Sequence, residues 1–172
     1  MRAAIYESPL GSYVMAEEDG KLVGLWLMGQ KYFPKELPPV GSGEGEIFTR
    51  TRRWLDAYFA GERPEPGELR LAPKGSAFAR QVWELLLEIP YGETVTYGQL
   101  ARELAKRRGL ERMSAQAVGG AVGHNPISII IPCHRVLGAK GQLTGYAGGL
   151  ETKRRLLELE GVELALKNQK TD

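Results

Sequence analysis

The chain has 172 residues, 42% hydrophobic and 26% charged, which excludes a disordered or fibrous class and leaves room for one domain or two small ones. Net charge is only +2, with the basic excess in the second part: 13 basic against 10 acidic residues from Gly75 onward, and 10 against 11 before it. No apolar run approaches the roughly 20 residues that span a bilayer, and the first residues carry no signal-peptide pattern, so the chain reads as intracellular and without membrane contact.

In chain order, Ala3 to Tyr6, Tyr13 to Ala16 and Leu22 to Met28 read as strands of an antiparallel meander, punctuated by Pro9-Leu10-Gly11 and Asp19-Gly20. From Ile47 to Phe59 the apolar residues Ile47, Trp54, Leu55, Tyr58 and Phe59 recur at helical spacing, and Gly61 ends the pattern. The stretch from Glu62 to Gly75 carries Pro64, Pro66 and Pro73 and reads as a connector. Ser76 can cap a helix with Phe78, Val82, Leu85, Leu86 and Ile89 on its buried side, stopped by Pro90. Thr96-Tyr97-Gly98-Gln99 has capping-box spacing and opens a helix with Leu100, Ala101, Leu104 and Ala105 inward. After a connector, Ser114 can cap a short helix from Ala115 to Val122, which makes the pair a helix-turn-helix. Ile127 to Ile131 reads as a short buried strand, and Leu150 to Glu160 as a last helix closed by Gly161.

These elements give an α/β (α+β) fold in two parts. A small antiparallel sheet domain with one helix occupies residues 1–62, a connector 63–75, a mainly helical domain with the helix-turn-helix and a cysteine loop 76–165, and a tail 166–172.

Three features carry chemistry. The short helix places Gly119 and Gly120 in its interior, each costing about 1 kcal/mol against alanine, so either close approach to a duplex groove or tight helix packing requires small residues there. The segment Arg102, Lys106, Arg107, Arg108, Arg112 is a modest footprint for a phosphate backbone, and a solvated helix face has the same composition. Pro132-Cys133-His134-Arg135 follows the apolar run. Cys133 is the only cysteine and His124 and His134 the only histidines, so neither an internal disulfide nor a Cys/His zinc cage can form, and no metal or other cofactor is expected. A lone cysteine packs readily as an inert hydrophobe, but a histidine beside it offers the base a thiol needs to become a thiolate near neutral pH. In an extended segment His134 would point away from the Cys133 sulfur, so a bridging water is the expected link. Glu160 could orient the imidazole as a third member, unless it is only an exposed helix-terminal charge.

Ile131-Pro132-Cys133-His134-Arg135-Val136 resembles the active-site signature of the O6-alkylguanine-DNA alkyltransferases. The resemblance runs from about Gly75 to Gly161 and takes in Phe78 to Trp83, Val95 to Ala101, Ala117 to Gly120, Asn125-Pro126 and Gly145-Tyr146-Ala147-Gly148-Gly149-Leu150. Gly24-Leu25-Trp26 and Gly29-Gln30-Lys31 are similar to bacterial members as well. It implies that Cys133 takes the alkyl group of a flipped-out O6-alkylguanine, and of O4-alkylthymine, in double-stranded DNA, once per molecule. His134 and water would take the thiol proton, Glu160 would hold His134, and Tyr97 would donate toward the departing base. Asn125 would brace the helix-turn-helix against the cysteine loop. Tyr97, Val136, Tyr146, Ala147 and Gly148 would form the base pocket, with Gly149 leaving room for the alkyl group. DNA contacts would fall on Ala115, Gln116 and Gly119 of the recognition helix and on Gly98, Ala79, Ala139 and Arg135.

The family commonly has arginine where this chain has Gln116, and the stretch between Tyr97 and Gln116 is longer than in some members. The protein is expected to work as a monomer. Rival readings are a lesion-sensing DNA-binding module without chemistry, a helix-turn-helix regulator, and a cysteine hydrolase using Cys133, His134 and Glu160. Of these, the first lacks the acceptor cysteine, and turnover separates the last.

Overall fold

The computed structural model describes residues 1–41 and 43–164; position 165 and the expected tail at 166–172 lie outside the described residues. Two units make up the described chain: Met1–Lys74 with Pro126–Ile130, and Gly75–Asn125 with the chain from Ile131 onward.

The first unit is built on an antiparallel meander of β1 (Arg2–Ser8), β2 (Gly11–Glu18) and β3 (Lys21–Leu27), in the order β1-β2-β3. Helix α1 (Glu46–Phe59) lays Ile47, Phe48, Trp54, Leu55 and Tyr58 into the core with Tyr13, Met15, Leu22 and Leu25 of the sheet. A three-stranded sheet has two open edges, and an edge row of unpaired N–H and C=O groups must find partners. Here Leu22 of β3 exchanges hydrogen bonds with Arg70 O and Ala72 N, so the expected connector 63–75 is fastened along this unit through Lys74. Leu25 does the same with Pro126 O and Ser128 N.

That second pairing corrects one expectation. Ile127 to Ile131 is not a strand: only Ile127 bridges the sheet, and the chain then turns sharply. Ile130 N donates to Ser128 O at 2.7 Å around Ile129, whose φ of 69° is a left-handed conformation that a β-branched residue adopts only under strain. Burial of Ile127, Ile129, Ile130 and Ile131 holds this γ-turn in place.

The second unit contains α2 (Ala77–Leu86), β4 (Val95–Thr96), α3 (Tyr97–Arg107), α4 (Ala115–Gly123), β5 (Val136–Leu137) and α5 (Leu150–Leu159). Each of the helices α2, α3 and α4 starts where its sequence chemistry directs. Ser76, Thr96 and Ser114 accept the backbone N–H of Ala79, Gln99 and Ala117, and Gln99 returns a bond to complete the box at Thr96. Helices α3 and α4 pack on each other and on α2, and the Trp83 indole N–H ties α2 to Ala121 O at 2.9 Å. α2 ends at Leu86, before Pro90. The parallel pair β4–β5, Val95 with Val136 and Thr96 with Leu137, has no counterpart in the sequence reading.

Candidate active site

The site assembles within the second unit. Pro132, with φ −82° and ψ 64°, bends the chain so that Cys133 N bonds Ile131 O at 2.8 Å, and Cys133–Arg135 form a single 3₁₀ turn. The expectation of an extended cysteine segment is therefore corrected. β5 follows this turn directly and pairs with β4, after which the chain enters α3 at Tyr97, so one two-residue ladder sets Tyr97 against the cysteine turn.

Cys133 is buried and free. Burial pushes its thiol above the ordinary value; the Asn125 and Tyr146 side chains, the Lys153 ammonium and the backbone at Cys133 favour the thiolate but do not outweigh that burial. Near neutral pH the resting group is the thiol, so its reaction requires a base. His134 is fully buried, and its Nε2 lies 2.6 Å from Glu160 Oε2. Burial lowers its pKa against the pull of Glu160, which keeps the imidazole neutral, and Nδ1 has no hydrogen-bond partner among the described residues.

Glu160, at the C-cap of α5, is buried and accepts from Arg135 Nε at 2.8 Å, Arg135 Nη2 at 3.1 Å and Gly92 N at 3.0 Å besides His134. Burial alone would raise its pKa, but His134 and Arg135 together hold the carboxyl well below the usual range. It is not an exposed helix-terminal charge.

Asn125 follows α4 and donates from Nδ2 to Ile131 O at 2.8 Å, joining the end of the helix-turn-helix to the cysteine turn. Tyr97 is half-buried, and burial with the nearby Cys133 pushes its hydroxyl up to about 12, so it stays a proton donor. Gly145, at φ 58°, passes so close that a Cβ there would stand 3.6 Å from the Tyr97 hydroxyl. Tyr146, Ala147 and Gly148 are half-buried in the segment that follows, and Val136 is buried in β5.

Of the expected DNA contacts, Ala115 and Gln116 are exposed on the first turn of α4, Ala139 is exposed, and Gly98 and Ala79 are half-buried near the starts of α3 and α2. Gly119 faces the Tyr97 ring, a Cβ there lying 3.7 Å from it, whereas a Cβ at Gly120 would meet nothing within 4 Å. Packing inside this chain thus does not require glycine at 120. Arg135, also expected at the DNA, is only 7% exposed, and its guanidinium donates to Glu160 and to Ile89 O at 2.6 Å. Arg107 of the basic segment is likewise engaged, with Glu88 and Glu103.

Sequence reasoning missed Lys153. Its side chain is fully buried, its Nζ donates to Thr144 O at 2.8 Å and Gly145 O at 3.0 Å, and it lies 5.9 Å from the Tyr97 ring centroid. Burial lowers its pKa to about 8, against the opposing influence of Cys133. The signal was there: Leu150, Leu156, Leu157 and Glu160 stand at −3, +3, +4 and +7 from it, the spacing of one helix face. Among the described residues no group of three or more His, Cys, Asp or Glu side chains is placed to hold a metal, and no helix is long and apolar enough to cross a membrane.

Comparison with known proteins extends these observations. Residues 77–162 match the family model described as 6-O-methylguanine DNA methyltransferase, DNA binding domain, and residues 1–73 that described as 6-O-methylguanine DNA methyltransferase, ribonuclease-like domain. A methylated-DNA--protein-cysteine methyltransferase of Methanosarcina acetivorans is 45% identical over 162 residues, 94% of this chain and 99% of the relative. Another, from Haemophilus influenzae, is 40% identical over 91% of this chain and 84% of its own length. Among solved structures, Mycobacterium tuberculosis OGT in complex with DNA superposes with a TM-score of 0.77 at 42% identity, covering 93% of this chain and 92% of that one.

Proposed function

The chain belongs to the 6-O-methylguanine DNA methyltransferase family, and we propose that it repairs DNA by moving the alkyl group of an O6-alkylguanine onto its own Cys133. The observation that carries this reading is the buried pair that follows the thiol in the chain: a neutral His134 tied through Nε2 to an ionised Glu160, with the Nδ1 lone pair left to act as a base.

The base is flipped from the duplex into the pocket formed by Tyr97, Val136, Tyr146, Ala147 and Gly148. The thiol proton passes through water to His134 Nδ1, and the Cys133 sulfur attacks the alkyl carbon. A C–S bond forms, the C–O6 bond breaks, and its electron pair leaves with guanine. The Tyr97 hydroxyl, a donor at every physiological pH, gives its proton to the departing base and is reprotonated in turn. Nothing in the chain can expel a thioether, so each molecule acts once.

Helices α3 and α4 would present the duplex-binding surface, with Ala115, Gln116 and the open Gly120 toward the groove. A DNA substrate and a thiol that must stay reduced support an intracellular location. Intact mass after incubation with a methylated-guanine duplex tests the reading: one alkyl group on Cys133 and none on Cys133→Ala is the expected result, and a label elsewhere or multiple turnovers would overturn it.

A further inference from the structure

Residues 134 and 135 are adjacent in the chain, yet both side chains converge on one carboxylate. Glu160 accepts from Arg135 Nε and Gly92 N on Oε1 and from His134 Nε2 and Arg135 Nη2 on Oε2. Arg135 is itself fixed on three sides, by Glu160, by Ile89 O at 2.6 Å and by the Tyr91 ring 5.8 Å away. A buried guanidinium held this way is directed into the fold, at the carboxylate that holds His134.

We propose that Arg135 is a positioning residue that sets the tautomer of His134: by compensating the charge of Glu160 it keeps that carboxylate purely an acceptor, so His134 must donate from Nε2 and present Nδ1 as the base. The inference rests on the alkyl-transfer reading above. A buried carboxylate without a cation takes up a proton. Protonated, Glu160 would donate to Nε2, the imidazole hydrogen would move to Nδ1, and the lone pair needed for the thiol proton would be gone. Among the described residues, Arg135 from the same turn and Lys153 from α5 act on His134 besides Glu160, and Arg135 donates to the carboxylate through Nε and Nη2. Lys153 directs its donors to Thr144 and Gly145 instead.

The test uses the full chain in a His124→Gln background, which leaves a single imidazole for nitrogen NMR on protein without DNA. The unsubstituted Arg135 protein should show a protonated Nε2 and a bare Nδ1 near neutral pH. Arg135→Met should invert or mix the two signals, and Arg135→Lys should largely restore them. Single-turnover transfer by Arg135→Met should fall roughly 100-fold near neutral pH and recover as rising pH ionises Glu160, because the rate follows the base that is lost. Should Arg135→Met not fold, Arg135→Gln, which keeps donors without charge, carries the same readout. A folded Arg135→Met or Arg135→Gln with Nε2 still protonated, or a rate loss equal at all pH, overturns the inference. The tautomer is read without any transfer, so an inverted tautomer in a protein that never alkylates Cys133 would keep the role of Arg135 and dismiss the proposed function.

Discussion

Lys153 carries a charge in a place where charge is expensive. A shift from the ordinary 10.5 to about 8 means that the folded protein disfavours the ammonium by roughly 3 kcal/mol relative to the unfolded chain. Between about pH 8 and pH 10.5 the unfolded state binds more protons at this site than the native state, so stability should rise with pH there, by at most about 1.4 kcal/mol per pH unit. Cys133 and Lys153 act on each other electrostatically, so the comparison is made between Cys133→Ala and Cys133→Ala/Lys153→Met. Removing the sulfur removes a group that raises the lysine, so the shift there is no smaller. The methionine fills the space of the stem but strands Thr144 O and Gly145 O, costing about 1–3 kcal/mol each, which largely offsets the relief of the buried charge at neutral pH. Urea unfolding across this range should therefore show similar stabilities near neutrality and a gap opening to roughly 3 kcal/mol in favour of the lysine protein as pH rises. Parallel pH curves for the two proteins would refute the reasoning.

Three further outcomes are expected. Tyr97→Phe keeps the ring beside Gly119 and Lys153 but removes the hydroxyl, so single-turnover transfer should slow by about 100-fold with little change in melting temperature; an unchanged rate would remove Tyr97 from the proton path. Gln116 is exposed and lacks the planar cation that stacks and attracts phosphate, so Gln116→Arg should speed and Gln116→Ala slow repair of duplex while both spare the free modified base, which needs no flipping; duplex rates equal to the parent would show that another side chain fills the vacated stack. Alkylation of Cys133, only 7% exposed, overfills a packed site at about 1–3 kcal/mol, so calorimetry should find the alkylated protein melting on the order of 5 °C lower; an equal or higher midpoint would contradict the overpacking.

Helix starts were legible because they are local. Ser76, Thr96 and Ser114 each need only a backbone N–H three residues on, a distance no tertiary context alters, and the apolar stripe of α1 repeats often enough to fix its period. The Ile127 to Ile131 run was misread for the opposite reason. Five residues rich in isoleucine favour a strand by propensity, but propensity is fitness for a half-buried pleated surface, and here only Ile127 finds an edge to pair with before Ile129 reverses the chain. The pair β4–β5 is two residues long and leaves no period to detect.

For the site, residue types were visible and directions were not. Cys133, His134 and Glu160 could be named from a sequence because a thiol, a base and a carboxylate are the parts such chemistry needs, yet an extended segment would have sent His134 and Arg135 to opposite sides. The 3₁₀ turn at Cys133–Arg135 cancels that alternation, and the C-cap position of Glu160 brings one carboxylate to both. Arginine is seldom buried unless paired, and nothing local in the sequence shows that Arg135 has a partner. Its actual place depends on Tyr91-Gly92, 43 or more residues upstream, where the Tyr91 ring lies over its guanidinium and Gly92 N donates to the same carboxylate. Lys153 is the readable exception, since its face is set by its own helix, although Arg154 and Arg155 beside it give the stretch the composition of a solvated basic run. Period decides there over charge pattern: Lys153 is in register with Leu157 and Glu160, which are buried with it, and with the partly buried Leu150, whatever its neighbours carry.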